Sequence, residues 1–415
     1  MNALTFAFLI ALAAKLAVET WLGLRHIRYV RAHRGTVPAA FAAKIPPEKH
    51  TRAADYTTAR TRFGLLDDWI GAGLLLVWTL GGGLNWLDTL VRGAGFGPVV
   101  TGTVFLLVAF LIMGALDIPS SLYSTFVIEK RFGFNRTAPH TFVTDLVKQT
   151  LLLLAIGAPL AAAVLWLMQA MGSLWWLYVW ALWMSFALFM TWAYPAVIAP
   201  LFNKFTSLDD AAMRARIEGL LTRTGFKSNG VFVMDGSARS AHGNAYFTGF
   251  GRTKRIVFFD TLLKQLAGAE VEAVLAHELG HFRLKHVVKR IALMFVTSLA
   301  GLAVLGWLIG QPWFYAGLGA GQSSTHMALM LFLMVGPVFM FWSQPLAARL
   351  SRKHEYEADA YAVQQSDRNA LIAALIKLYE ENAATLTPDP LHSAFYDSHP
   401  PALARIQHLQ TVVSS

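Results

Sequence analysis

Val274-Leu-Ala-His-Glu-Leu-Gly-His281 runs through Phe282-Arg-Leu-Lys-His-Val-Val-Lys-Arg290 into the apolar run Ile291 to Ile309. On a helix, His277 and His281 fall on one face, about 6 Å apart at Cβ. Two neutral imidazoles at that spacing can grip one Zn²⁺, while Glu278, on the flank, can reach a water on the metal as general base. Arg283, Lys285, Lys289 and Arg290 then lead through an interface into a segment long enough to cross a bilayer. The pattern predicts one continuous helix joining metal chemistry to membrane.

The composition agrees with a membrane setting. The 415 residues are 55% hydrophobic and 14% charged, with thirteen Trp and positive mean hydropathy, as in a polytopic membrane protein. There is no cysteine, which excludes disulfides, thiolate catalysis and Cys-based metal sites, so a metal must be held by His and carboxylates. The net charge of +10 sits in connections between apolar runs rather than along one soluble face, which points to membrane orientation and away from nucleic acid. No basic leader precedes the first apolar run, so a retained first span is expected.

Seven spans follow from long apolar runs: Leu4 to Leu22, Trp69 to Leu90, Val99 to Ile118, Leu151 to Met171, Leu174 to Tyr194, Ile291 to Ile309 and Met327 to Trp342. In the first, Lys15 and Glu19 stand at i and i+4 and can pair, although a snorkelling lysine is the preferred reading. The connection after span one is dense in Arg25, Arg28, Arg31, Arg34, Lys44, Lys49, Arg52, Arg60 and Arg62, and the one after span three carries Lys130, Arg131 and Arg136. The connections near 92–97 and 310–324 are almost uncharged. This alternation predicts an N-terminus outside and a C-terminus in the cytoplasm.

The division expected is 1–200 for spans one to five with their loops, 201–290 for a soluble part with the motif helix, 291–346 for spans six and seven, and 347–415 for a second soluble part. Within 201–290, the stretch Asp209 to Thr224 reads as helix. Gly230 to Met234, Asn244 to Phe250 and Arg255 to Asp260 read as strands, the last two joined by a turn at Gly251-Arg252-Thr253-Lys254.

A catalytic zinc needs a third protein ligand and an open position for water. The best source is Glu355-Tyr356-Glu357-Ala358-Asp359, on a helix leaving span seven. Glu355 and Asp359 share a face, so one can bind metal while the other accepts the second N–H of a ligand histidine. At about 1.5 Å per residue, His281 lies about 15 Å before Ile291 and Glu355 about 20 Å beyond Trp342, comparable heights above the membrane. His354 and Glu357 point to other faces. His286, five residues after His281, is turned off the ligand face and suits a surface or interfacial role. His242 reads as structural, and His399 precedes the rigid pair Pro400-Pro401, which could fix its direction.

These residues, with Asp55-Tyr56-Thr57-Thr58-Ala59-Arg60, Val127 to Arg136, Pro200 to Phe205, Asn244-Ala245-Tyr246-Phe247 and Ser398-His399-Pro400-Pro401 with Arg405, resemble the integral-membrane CAAX prenyl endopeptidases of the a-factor-converting type. The resemblance covers nearly the whole chain. It implies an all-α polytopic membrane protein, seven transmembrane helices around a water-filled chamber, capped by an α+β zinc metalloprotease (gluzincin-like) domain. It further implies one Zn²⁺ on His277, His281 and Glu355, Asp359 as the partner behind a ligand, Asn244, Ala245 and Tyr246 along a substrate-binding edge strand, and His399 and Arg405 positioning substrate or stabilising the oxyanion.

The expected function is hydrolysis of lipidated or membrane-associated peptides, with the lipid bilayer as the other partner and no nucleic acid. Two alternatives stand beside it: an HtpX-like quality-control protease of misfolded membrane proteins, and a non-catalytic transporter or receptor with a structural zinc. A cysteine-free, alanine-rich chain suggests a bacterial inner membrane over the endoplasmic reticulum.

Overall fold

The computed structural model describes residues 1–248 and 255–411. Among the described residues, six helices are long and apolar enough to span a membrane: Ala3–Ala32, Pro98–Glu129, Pro139–Ala170, Gly172–Phe202, His286–Leu308 and Thr325–Gln365. A seventh span is the pair Pro47–Trp78 and Gly83–Arg92, bent by 49° where they meet. The sequence reading made this span a single helix. The first helix ends at Trp78, and the bend passes through Gly81-Gly82-Gly83: Gly82, at φ 83°, a conformation that costs glycine little, precedes the first residue of the second helix.

The apolar faces of these helices meet in a core that includes Phe8, Leu12, Leu87, Phe105, Leu165 and Leu331. That core is partial, for only 6% of the most apolar window of His286–Leu308 is buried against protein. Asp67, Asp68 and Asp117 lie exposed within spanning helices. Lys15 does not snorkel: its Nζ lies 2.7 Å from Glu19, with the charge of Asp68 nearby.

The protease part carries a four-stranded sheet of β1 (Phe205–Ser207), β2 (Val231–Met234), β3 (Ala245–Thr248) and β4 (Arg255–Phe259), in the order β1-β2-β4-β3. β1 runs antiparallel to β2, β2 parallel to β4, and β3 antiparallel to β4. β1 escaped the sequence reading because three residues show no alternation. The expected turn 251–254 lies outside the described residues, as does the end of the strand predicted to reach Phe250. β3 is an edge strand. One face of the sheet and the helices Ala211–Thr224, Gly268–Arg283 and Arg368–Glu381 share a core of Ile217, Leu220, Phe258, Leu275, Leu279 and Leu371.

The predicted continuous helix from motif to membrane is broken. The motif helix ends at Arg283, and Lys285, with φ 57° and ψ 32°, is in the left-handed region before a new helix starts at His286.

Candidate metal centre

The motif helix Gly268–Arg283 and the helix Gln344–Gln365, which continues span seven, pack side by side. Gly280 makes this approach possible: a Cβ there would stand 3.0 Å from Ala358 Cα and 3.1 Å from its carbonyl oxygen. The close approach brings the two ligand faces together. His277 Nε2 and His281 Nε2 are 3.2 Å apart. Glu355 Oε2 is 3.5 Å from the first and Oε1 3.3 Å from the second.

The donor set fits a divalent cation that takes nitrogen and oxygen. One ligand atom from each of the three residues can be chosen so that all lie within 4.8 Å of one another. Two Nε2 atoms turned toward each other and toward a buried carboxylate leave lone pairs converging on one point. Glu355 Oε2, fully buried, takes no well-directed hydrogen bond although His399 Nδ1 lies 2.7 Å away. Burial disfavours the Glu355 anion, but His277, His281 and His399 outweigh it and hold the carboxyl far below the usual range. The cluster therefore keeps Glu355 as a carboxylate, the anionic donor a metal takes, directly against the two imidazole Nε2 atoms.

Behind this cluster, His277 Nδ1 lies 2.8 Å from Asp359 Oδ1. Asp359 is in turn gripped by Arg405, through Nε at 2.9 Å and Nη2 at 2.5 Å. Burial opposes the Asp359 charge, yet His277 and Arg405 hold its carboxyl below the ordinary value.

Residues 207–413 match peptidase family M48, and residues 26–204 match the family described as CAAX prenyl protease N-terminal, five membrane helices. The CAAX prenyl protease 1 homologue of Arabidopsis thaliana is 34% identical over 400 residues, 94% of this chain and 93% of that protein. The chain belongs to the CAAX prenyl protease family. CAAX prenyl protease 1 of Saccharomyces cerevisiae is 31% identical, covering 96% of this chain and 93% of its own length. The crystal structure of S. mikatae Ste24p superposes with a TM-score of 0.92 and 29% identity over 99% of both chains. The fold is thus that of a CAAX protease, a membrane-integrated metalloendopeptidase, and neither the transporter nor the HtpX-like reading is favoured. The relatives named are eukaryotic, so they lend nothing to the bacterial placement expected from composition.

The remaining residues of interest divide by exposure. Glu278 is half-buried, with no ion pair among the described residues. His399 is 62% exposed. Asn244 is exposed immediately before β3, with Ala245 and Tyr246 half-buried in that edge strand. Arg405, 7% exposed, sits against Asp359 and, like His399, approaches Glu355 Oε2, with its Nη1 at 3.8 Å. His242 stacks on Phe134 and contacts Asn382, a structural position.

Three residues that the sequence reading turned away from the ligand face come together beside His281. His286 is 1% exposed, with its Nδ1 3.0 Å from His281 Nδ1, which corrects its expected surface or interfacial role. His354 stacks on it at 4.0 Å, and Glu357 lies 2.9 Å from its Nε2. On an unbroken helix His286 would stand about 140° from His281. The turn at Lys285 swings it back, and nothing in the sequence announces a left-handed lysine.

Proposed function

We propose that the chain binds one Zn²⁺ through His277, His281 and Glu355 and hydrolyses peptide bonds of prenylated or otherwise membrane-derived peptides. The observation that carries this reading is the convergence of two Nε2 atoms and the Glu355 carboxylate, with Glu278, which makes no ion pair among the described residues, next to His277 in the chain. When bound, zinc supplies Lewis-acid polarisation of the scissile carbonyl and lowers the pKa of a coordinated water.

The chain's own residues supply the rest. The peptide adds as a further strand to the free edge of β3, held by backbone at Ala245 and Tyr246 and by the exposed side chain of Asn244. Glu278 accepts the proton of the attacking water and returns it to the leaving amine. His399 steadies charge developing on the carbonyl oxygen. Asp359 and Arg405 hold His277 in the tautomer that leaves Nε2 free to bind metal. The chain divides into membrane parts 1–200 and 291–346 and protease parts 201–290 and 347–415. The basic connections support a protease part on the cytoplasmic side and an N-terminus on the other.

The test is product mapping by mass spectrometry with a farnesylated peptide ending in a CAAX sequence and, in parallel, an unfolded membrane protein. Defined cleavage of the farnesylated peptide, abolished by chelator, is expected. Cleavage of the unfolded protein alone would place the enzyme in quality control.

A further inference from the structure

We infer that His286 and Glu357 form a positioning relay that fixes the proton of the ligand His281. The inference rests on the zinc assignment above and extends it to residues outside the ligand set.

The directions of the hydrogen bonds follow from their two ends. His281 Nε2 faces His277 Nε2 and Glu355, so it must present a lone pair to a metal and its proton must sit on Nδ1. That Nδ1–H points at His286 Nδ1, 3.0 Å away, so His286 Nδ1 is the acceptor. A neutral His286 then carries its proton on Nε2 and donates it to Glu357 Oε2 at 2.9 Å. The chain of donors ends on a carboxylate, as the bond from His277 to Asp359 does. Both ligand histidines thus terminate on acid groups, one directly and one through an inserted imidazole. His354, buried and stacked on His286 at 4.0 Å with an 11° angle between the rings, covers its face and excludes water.

The same three residues, His286, His354 and Glu357, lie close enough to hold a cation themselves. Their geometry argues otherwise. Parallel stacked imidazoles send their lone pairs out side by side rather than to a common point, and Lys289 and Arg290 add positive charge nearby.

The break at Lys285 acquires a purpose in this arrangement: the left-handed residue brings His286 against His281. Losing a hydrogen-bond partner behind a metal ligand costs about 10- to 100-fold in metal affinity. The test measures the zinc dissociation constant of the full-length protein in detergent by chelator competition. His286→Leu is expected to weaken zinc about 10- to 100-fold. His286→Asn, whose amide oxygen takes the place of Nδ1 as acceptor, should recover most of the loss, which a purely space-filling role would not produce. Glu357→Ala, at a half-exposed position, should weaken zinc without lowering the melting temperature of the metal-free protein, and it carries the test if His286→Leu does not fold.

Parental affinity in either His286→Leu or Glu357→Ala would overturn the relay while leaving the metal assignment intact. So would an Asn variant no better than Leu, or a second equivalent of zinc lost on His354→Ala. A parent chain that binds no zinc would overturn both.

Discussion

The guanidinium of Arg405 lies on the carboxylate of Asp359 with two contacts, Nε to Oδ2 at 2.9 Å and Nη2 to Oδ1 at 2.5 Å, and Asp359 is wholly buried. A planar fork matched to a carboxylate in this way cannot be replaced by a point charge. Arg405→Leu leaves the Asp359 charge without its counterion, which costs about 3 to 5 kcal/mol. A large drop in melting temperature of the metal-free protein is expected. Arg405→Lys should recover only part of it, and removing both partners with Asp359→Leu should cost less than removing Arg405 alone.

The three ligands should behave alike in metal content. His277→Ala, His281→Ala and Glu355→Ala each delete one of three donors, and each protein should be purified without stoichiometric zinc by elemental analysis. Undiminished zinc in any one of them removes that residue from the ligand set.

Gly280 sets the distance between the ligand-bearing helices. A methyl group there meets Ala358 backbone at 3.0 to 3.1 Å and Tyr361 Cβ at 3.2 Å, all parts that cannot swing aside. Gly280→Ala should therefore cost about 1 to 3 kcal/mol through overpacking. It should also weaken zinc binding by separating Glu355 from the two histidines. Unchanged melting and unchanged zinc affinity would show that the helices can part freely.

Much of this was legible in the sequence because periodicity and spacing are local properties. His277 and His281 were candidates from a four-residue spacing and the pair Glu355 and Asp359 from a shared helix face, with Glu355 singled out by the resemblance, and the spans followed from the length of apolar runs. What stayed hidden depends on single backbone conformations or on packing between distant segments. The bend at Gly82 and the left-handed Lys285 each redirect a helix without altering its composition. His286 was misplaced for that reason alone: extrapolating an unbroken helix carries it away from His281. The resemblance grouped Arg405 with His399, and both approach Glu355 Oε2, but which of them the fold buries depends on packing between distant segments. Lys15 was read as snorkelling although its i, i+4 spacing to Glu19 already allowed the pair that forms.

The central claim is that Glu278 moves the proton while His277, His281 and Glu355 hold the metal. It is tested most directly by Glu278→Gln, measured for zinc content and for cleavage of a farnesylated CAAX peptide in the same preparation. The amide keeps the shape of the side chain and removes its basicity. Stoichiometric zinc with cleavage reduced to background is the expected result. Substantial turnover by the zinc-loaded variant would contradict it.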